Sequence, residues 1–387
     1  MNSFIGKPDL SGNLRGKPCT DLFIVGGGPA GLATAILAAQ AGMRVAVADH
    51  NRPPIDKACG EGLMPDTLAA AEKLGVQLSG GDGVRFLGIR FNDGESASCV
   101  AARFANGFGL GMRRTELHSR LIRRAADAGV ELLWGAQVKL EREGGLSCDG
   151  RPVRCQYVIG ADGEGSAVRK WATLDEMRYE RARFGSRRHF RMEPWSDFVE
   201  VYWARDCQIV AAPIAQDEVC VAVTSRNPLL KFHEAVAQVP EIASRVCGAL
   251  PSTKVRGART GLRRLKRVHR GAVALVGDAS GSVDPLTGEG IGLGLRQAAM
   301  LVEAIKRGDL QPYQAAHERI SQISHLTSRL LLFMDSHPCL RRRALRALAA
   351  EPSLFARMLN AQTGGAALSQ CGLDLPARLG WRLIFSS

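Results

Sequence analysis

The apolar residues near the start of the chain alternate between short continuous runs and helical periodicity. Residues 22–25 (LFIV) form an apolar run that ends in glycines, and residues 44–49 (RVAVAD) form a second run. Between them, GLATAILAAQAG has helical composition and is closed by Gly42. Short apolar runs bounded by glycine are typical of buried parallel strands. The pattern therefore predicts a strand, a tight turn, a helix and a second strand.

Three later stretches repeat these patterns. Residues 111–138 place apolar side chains on one helical face and continue into a strand. Residues 157–171 begin with an apolar strand that runs into an aspartate and a glycine. Residues 271–298 contain another such strand, a glycine-rich turn and a helix that begins near Gly290. Because these strands are short and apolar throughout, they predict strands buried on both faces.

The middle and the end of the chain follow different patterns. Between about residues 172 and 265, stretches such as DFVEVYWA and EVCVAVTS are separated by turn residues and predict a mostly antiparallel sheet. From about residue 296 the apolar positions have helical spacing, interrupted at Pro338 and Pro352. A basic amphipathic stretch of this kind is compatible with contact to a membrane surface, but helices packed against the first domain are the preferred interpretation.

Composition and charge narrow the function classes. The 387 residues carry a formal net charge of +13, but the arginines are scattered and no nucleic-acid motif occurs, so a generally basic surface is preferred to nucleic-acid binding. The ten cysteines include no C-x-x-C pair and indicate reduced thiols without a metal site. No signal peptide and no apolar run of roughly 18 residues is evident, so we expect a cytoplasmic location.

The first strand, turn and helix carry a dinucleotide fingerprint. Gly26, Gly28 and Gly31 have the G-x-G-x-x-G spacing, in which the glycines permit a tight turn, close approach of a pyrophosphate and packing of the helix. The helix N-terminus faces the phosphates, and Asp49 ends the second strand where it would accept hydrogen bonds from a ribose. The fingerprint predicts dinucleotide binding but does not distinguish NAD from FAD.

Two distant segments make that distinction. YVIGADGEGSAVRKW contains Asp162 and Gly163, and GAVALVGDASGSVDPLTGEGIGLGLRQA contains Gly277 and Asp278. With the glycine fingerprint, these segments resemble the p-hydroxybenzoate-hydroxylase superfamily of FAD enzymes, which carries the three motifs in this order. The resemblance spans residues 21–298 and implies FAD as cofactor and NAD(P)H as the visiting electron donor.

The resemblance also implies roles for single residues. Asp278 would meet the ribityl hydroxyls, and the loop and helix start would bring backbone N–H groups to the flavin ring. Arg114 begins an R-x-x-L-x-x-x-L pattern whose arginine contacts the cofactor in relatives, with Arg113 as the competing candidate. The implied cofactor-binding residues are Gly26, Gly28, Gly31, Asp49, Arg114, Asp162, Gly163, Gly277, Asp278, Pro285, Gly288, Gly290 and Ile291.

The implied fold is α/β, with a Rossmann-like doubly wound FAD-binding domain, an inserted antiparallel β-sheet substrate domain and C-terminal helices. The predicted boundaries are a flexible N-terminus at 1–20, the first part of the FAD-binding domain at 21–171, the substrate domain at 172–265, the last part of the FAD-binding domain at 266–310 and a helical region at 311–387.

Finer resemblances favour one branch of the superfamily. DKACGEGLMP and DPLTGEGI look like loops of geranylgeranyl reductases and make Cys59 and Glu289 candidate catalytic residues. His189, in the middle sheet, is a candidate base for a substrate phenol because imidazole titrates near neutral pH. The aromatic substrate motifs of the reductases and of flavin halogenases are missing from CQIVAAP, whose matching positions are Gln208, Val210 and Ala212.

The expected function is an FAD-dependent monooxygenase that hydroxylates a hydrophobic or phenolic, polyketide-like or lipid-like molecule through a flavin C4a-hydroperoxide. A flavin-dependent double-bond reductase of the geranylgeranyl-reductase type is the alternative. A non-catalytic flavin carrier or redox sensor is a third interpretation, against which the large substrate domain argues. A separate flavin reductase is the alternative source of electrons.

Overall fold

The computed structural model describes residues 20–94, 98–141 and 145–363. Of the N-terminal segment predicted over residues 1–20, only Thr20 lies within these ranges, and residues 364–387 of the predicted helical region lie outside them.

The described strands alternate with helices in the first half of the chain. In chain order the strands are β1 Thr20–Val25, β2 Val45–Asp49, β3 Gly62–Leu63, β4 Val84–Phe86, β5 Gly88–Asp93, β6 Cys99–Arg103, β7 Gly109–Gly111, β8 Glu131–Trp134, β9 Val138–Leu140, β10 Leu146–Cys148, β11 Arg151–Pro152, β12 Cys155–Gly160, β13 Met177–Arg191, β14 Phe198–Trp203, β15 Cys207–Ala215, β16 Glu218–Ser225, β17 Leu250–Pro251, β18 Arg256–Leu265, β19 His269–Arg270, β20 Val273–Leu275 and β21 Gly281–Ser282.

The two longest described helices follow one another toward the end of the chain. They are α1 Pro29–Gln40, α2 Pro65–Lys73, α3 Arg114–Asp127, α4 Ala167–Trp171, α5 Phe232–Ala237, α6 Pro240–Val246, α7 Gly290–Lys306, α8 Gln311–Ser336, α9 Pro338–Ala350 and α10 Pro352–Gln362. Short 3-10 turns cover Gly277–Ser280 and Pro285–Thr287. No helix in the described ranges has both the length and the apolar composition needed to cross a membrane.

The first sheet has the order β19-β20-β12-β1-β2-β8. Its pairs are parallel except for β19 with β20, and Leu22 of β1 lies opposite both Val45 of β2 and Tyr157 of β12. Helices α1, α3 and α7 pack on it through a core that includes Ile36 and Leu301. Because the strands are parallel, their carboxyl ends meet at one edge, where a doubly wound fold binds its ligand.

The second sheet has the order β21-β18-β13-β16-β15-β14-β5-β6, with β17 beside β13. Its pairs are antiparallel except for β14 with β5, in which Val199 lies opposite Ile89. The predicted limits of 172–265 therefore leave out β5 and β6, which extend the sheet beyond β14, and β21, which pairs with β18. Sequence position did not reveal these strands, since strand pairing brings together segments that are distant along the chain.

Candidate functional site

The main cavity lies between the two sheets and encloses about 980 Å³. One part is a groove along the carboxyl ends of the parallel strands. It is lined by Val25 at the end of β1, Asp49 at the end of β2, Ala161 after β12 and Gly277 after β20. The other part is an apolar chamber between the second sheet and the C-terminal helices. The two parts form one continuous cavity, so a molecule in the groove and one in the chamber can touch.

The glycine turn at the start of α1 has the shape that a pyrophosphate requires. Gly26 has φ +110°, and a Cβ there would lie 2.3 Å from the carbonyl oxygen of Ala161. A Cβ on Gly31 would lie 2.0 Å from the carbonyl oxygen of Gly26, so this glycine allows the helix to pack against the turn. A Cβ on Gly28 would meet no atom within 4 Å. The open side of Gly28 faces the groove immediately before α1, where free N–H groups attract an anion.

Asp49 anchors this turn and still borders the groove. Its Oδ2 accepts a hydrogen bond from the N–H of Gly27 at 2.8 Å, and its Oδ1 accepts one from the N–H of Asn51 at 2.8 Å. A carboxylate has about four acceptor positions, so further hydrogen bonds from a ribose diol remain available.

Asp162 and Gly163 form the second wall of the groove. The carboxylate of Asp162 accepts hydrogen bonds from Ser166 Oγ and from the N–H groups of Ala167 and Val168, which places it at the start of α4. Gly163 has φ +78°, a conformation that favours glycine. Both residues line the cavity, and the hydrogen bonds accepted by the Asp162 carboxylate fix the loop before α4.

Asp278 lies across the groove on the loop after β20. Its side chain is 43% exposed, and its Oδ2 lies 3.4 Å from Nζ of Lys57. Gly277 precedes it with φ +63°. An exposed carboxylate held beside a lysine is able to accept hydrogen bonds from a polyol, which fits the role implied for it.

The loop that leads into α7 closes the same side of the cavity. Gly288 has the left-handed φ of +68°, and a Cβ on Gly290 would meet no atom within 4 Å. The N-terminus of α7 is thus open toward the cavity. Its free N–H groups could donate hydrogen bonds to the carbonyl or anionic edge of a flavin ring. Pro285, Gly288, Gly290 and Ile291 all line the cavity.

The structure separates the two arginine candidates. Arg114 lines the cavity, and its buried Nε has no hydrogen-bond partner among the described residues. Arg113 forms an ion pair with Glu218, and the described cavity wall does not include it. An unpartnered guanidinium nitrogen in a groove suits a ligand that brings acceptors, so Arg114 is the better placed of the two.

Of the three predicted catalytic residues, only Cys59 lines the cavity. Its Sγ accepts a 3.4 Å hydrogen bond from the N–H of Glu61.

Glu289, a predicted candidate catalytic residue, has its side chain buried beside α7. Its carboxylate lies behind the first turn of α7, where it interacts with Arg296, Ser324 and Gln362, and the residue is 2% exposed. Burial raises the pKa of Glu289 to about 7. Gly288 and Gly290 line the cavity, whereas Glu289 does not contribute to its described lining, so a role of Glu289 at the ring stays a prediction.

His189 also differs from its predicted position. It is 2% exposed and does not contribute to the described lining of the cavity. Its Nε2 lies 2.5 Å from Oε2 of Glu61, so the carboxylate stands between the imidazole and the cavity. The sequence indicated that His189 lies in the middle sheet, but not that the loop at residues 56–61 covers it.

Glu61 is the residue that the sequence analysis missed. It lines the cavity, is 2% exposed and has φ +59°, a strained value for a residue other than glycine. The signal was an acidic residue between two glycines in ACGEGL.

Glu61, His189 and Cys220 bring their ligand atoms within 4.8 Å of one another, close enough to hold a metal ion. Two facts oppose a cation there. The guanidinium of Arg187 already lies 3.5 Å from Oε1 of Glu61, and burial raises the pKa of the Cys220 thiol, so the thiol keeps its proton. The cluster is better described as a hydrogen-bonded network.

The apolar chamber is lined by side chains from both its floor and its roof. The position of Val210 on β15 matters most, because the sequence aligns it with an aromatic residue of the reductase and halogenase motifs. Its aliphatic side chain leaves the chamber without an aromatic platform at that point. The chamber is lined by Ile89, Phe91, Val199, Val201, Val210, Ala222, Leu330, Leu331, Met334, Ala344, Leu348, Phe355, Met358 and Leu359.

We compared the sequence with known protein families. A family described as "FAD binding domain" matches residues 19–307, which is well over half of the chain. The chain belongs to this FAD-binding family. It is therefore an enzyme, an FAD-dependent oxidoreductase, and the predictions of FAD and of enzymatic rather than carrier activity are confirmed.

Relatives and solved structures extend the match beyond that region. The chain is 29% identical over 319 residues to menaquinone reductase from Mycobacterium tuberculosis, covering 75% of this chain and 77% of the relative. It is 28% identical over 361 residues to 6-methylpretetramide 4-monooxygenase from Streptomyces rimosus, covering 81% and 84%. The flavoprotein/dehydrogenase structure from Cytophaga hutchinsonii superimposes with a TM-score of 0.79 at 14% identity, covering 95% of this chain and 100% of that one. The predicted fold class is thereby confirmed.

Proposed function

We propose that this flavoenzyme is a monooxygenase that hydroxylates a hydrophobic, phenolic or polyketide-like small molecule. The observation that carries the proposal is the apolar chamber, which opens directly into the FAD groove and is walled by aliphatic and aromatic side chains. Such a wall selects a largely apolar substrate and keeps water away from it. The likeness to 6-methylpretetramide 4-monooxygenase over 81% of this chain supports the same chemistry.

The residues of the groove would hold FAD in a defined orientation. The turn at Gly28 and the start of α1 would bind the pyrophosphate, Asp49 the ribose, and Asp278 the ribityl chain. The open N-terminus of α7 at Gly290 would lie against the ring. Bound FAD supplies the redox chemistry, accepting hydride from NAD(P)H and activating oxygen. The protein supplies orientation, exclusion of water and control of protons.

The chamber limits which molecules reach the ring. Its floor is the face of the second sheet, and its roof is formed by α8, α9 and α10. Val210 in place of an aromatic residue leaves room for a wide, fused ring system. We expect polycyclic phenols to bind better than single-ring phenols, because each additional ring buries more apolar surface.

A double-bond reductase of the geranylgeranyl-reductase type is the second candidate. It is favoured by the 29% identity to menaquinone reductase and by Cys59, which lines the cavity beside the groove where the resemblance placed a loop cysteine. The two candidates share the FAD groove and the need for an apolar substrate, and they differ in whether molecular oxygen is consumed.

One experiment separates the candidates. The purified holoenzyme is given NADPH or NADH, isotopically labelled O₂ and a panel of phenols from 2-naphthol to 6-methylpretetramide. A monooxygenase yields a product with one labelled oxygen atom. Reduction of a menaquinone side chain under anaerobic conditions, with no labelled product in air, would overturn the proposal in favour of the reductase. Repeating the assay with an added flavin reductase tests whether the enzyme needs a separate source of electrons.

A further inference from the structure

Two acidic side chains share one guanidinium behind the first turn of α7. Nη1 of Arg296 lies 2.6 Å from Oδ2 of Asp66, and Nη2 of the same arginine lies 3.7 Å from Oε1 of Glu289. Asp66 belongs to α2, Arg296 belongs to α7, and Glu289 is the residue immediately before α7. One base thus faces two acids, so the cluster is free of net charge only when one of the two carboxyl groups carries a proton.

Each carboxyl group has one oxygen that no donor reaches. Oδ1 of Asp66 and Oε2 of Glu289 are buried, and neither has a hydrogen-bond partner among the described residues. A buried charged oxygen without a donor is costly, whereas protonation of the carboxyl group removes the charge. Glu289 is 2% exposed, but the Arg296 side chain is 26% exposed, so solvent reaches the cluster from the side of the arginine.

The surrounding groups set the pH at which this proton is exchanged. Burial raises the pKa of both acids, and that of Glu289 reaches about 7. The charged groups that act on Glu289 are Arg296, which favours the carboxylate, and Asp66, which disfavours it. Helices α8 and α10 contribute the uncharged side chains of Ser324 and Gln362. Near neutral pH the cluster is therefore poised between holding and releasing a proton.

The cluster lies directly behind the helix end that faces the FAD groove. Gly290 is the first residue of α7 and lines the cavity, and Glu289 precedes it. A negative charge that develops in the groove at this helix end repels the carboxylate of Glu289 and favours its protonation. Protonation of Glu289 removes a negative charge from the positive end of the helix dipole, which in turn favours an anion there. Because such coupling is reciprocal, each event promotes the other.

We propose that Asp66, Glu289 and Arg296 form a redox-linked proton site, which takes up a proton when the bound flavin is reduced and releases it when the flavin is reoxidised. The proposal goes beyond the proposed function, because it requires bound FAD but no particular substrate. It applies whether the reduced flavin then reacts with oxygen or with a carbon–carbon double bond.

The uptake balances the charge that reduction creates. NADPH transfers a hydride, which carries two electrons, and leaves as NADP⁺, so one negative charge develops at the flavin without a proton from solvent. A proton from water forms an O–H bond with the carboxylate of Glu289, which loses one negative charge. The summed charge around the start of α7 is then the same before and after reduction. On reoxidation this O–H bond breaks, and the proton returns to solvent past Arg296.

The first test counts protons. Holoenzyme in weak buffer with a pH-indicator dye is reduced without oxygen by an equimolar amount of NADPH. At about pH 7.5 the wild type should take up close to one proton more per flavin than Glu289→Gln, and the difference should vanish toward about pH 5.5, where Glu289 is protonated in both redox states. Glu303→Gln is the matched control, because it makes the same change at an exposed glutamate of α7 that pairs with Lys306. Its proton count should equal that of the wild type.

The reduction potential and the infrared spectrum give independent readouts. Each further proton bound on reduction changes the two-electron equilibrium constant tenfold per pH unit, which corresponds to about 30 mV. Between about pH 7 and 8 the potential of the wild type should therefore fall more steeply than that of Glu289→Gln, by up to about 30 mV per unit. Photoreduction should also produce the C=O stretch of a protonated carboxyl group in the wild type and in Glu303→Gln, but not in Glu289→Gln.

Two charge variants should move the pH of maximal uptake in opposite directions. Asp66→Asn removes a negative charge beside Glu289 and should lower that pH, whereas Arg296→Gln removes the positive charge and should raise it. These two variants decide the proposal by the same measurements if Glu289→Gln does not fold or bind FAD. Equal proton counts and parallel potentials in the wild type and Glu289→Gln at every pH would overturn it. Failure of the wild type to hydroxylate any phenol would overturn the proposed function alone, since the proton counts need no substrate.

Discussion

Replacing Gly28 by alanine should separate the binding of FAD from the stability of the fold. The glycine precedes α1 with φ −74° and ψ 177°, values that alanine adopts without strain. A Cβ at this position meets no protein atom within 4 Å and projects into the groove. The added methyl group therefore takes space only from a ligand.

In the apoprotein, the two expected effects of Gly28→Ala on the free energy of unfolding nearly cancel. A compatible Gly-to-Ala change stabilises by about 0.4–1 kcal/mol through the unfolded state. Alanine is a poorer N-cap than glycine, which costs roughly the same amount. We therefore expect the free energy of unfolding of Gly28→Ala apoprotein to stay within about 0.5 kcal/mol of wild type.

FAD binding should respond much more strongly. Placing a methyl group where the pyrophosphate approaches the backbone costs about 1–3 kcal/mol, as overpacking does in a core, which corresponds to a loss of roughly fivefold to 150-fold in affinity. Gly31→Ala is the matched control, because its Cβ would lie 2.0 Å from the carbonyl oxygen of Gly26. That variant should lose apoprotein stability instead.

The assay titrates apoprotein with FAD, following flavin fluorescence, and measures urea unfolding of each apoprotein. Wild-type FAD affinity in Gly28→Ala would refute the placement of the pyrophosphate at this turn. Equal destabilisation of the two apoproteins would refute the claim that Gly28 faces open space.

Three further changes test other parts of the site. Cys59→Ser should leave FAD binding unchanged and, if the enzyme is a monooxygenase rather than a reductase, should change turnover less than threefold in steady-state NADPH oxidation; a complete loss would give Cys59 a chemical role. Val210→Trp should raise KM for 6-methylpretetramide far more than for 2-naphthol, because the larger ring shortens the chamber, and an equal effect on both would contradict that geometry. Burial raises the pKa of Glu289 to about 7, so the folded protein holds this proton more tightly than the unfolded chain. Its stabilisation is full below about pH 4.5 and is lost as pH rises toward 7, by about 3 kcal/mol at most. The difference in unfolding free energy between wild type and Glu289→Gln should fall across that window, and a constant difference would show that the carboxyl is not shifted.

The residues of the FAD groove could be predicted because each depends on the sequence directly around it. The turn at Gly26, Gly28 and Gly31 needs glycine for backbone reasons that appear directly in the spacing. Asp49 ends one apolar strand and Asp278 follows another, and the carboxyl ends of parallel strands meet at one edge. For these residues the strand pattern already determines the place in space.

The positions of His189, Glu289 and Glu61 depend on packing between distant segments. Alternation along β13 does not reveal that residues 56–61 cover His189. The glycines around Glu289 face the cavity while its own side chain turns toward α8 and α10. The strained backbone of Glu61 depends on contacts with α3 and β13, which no short motif encodes.

The position of the chamber roof along the chain affects how the substrate preference of this enzyme can change. The family match ends at residue 307, and α8, the first helix of the roof, begins at Gln311. The roof of the chamber is therefore outside the matched FAD-binding region, whereas the floor, which includes Val210, lies inside it. Exchange or redesign of α8–α10 would alter only the roof of the chamber and leave the FAD-binding region unchanged, so the part of the substrate preference set by the roof can change independently of the cofactor chemistry.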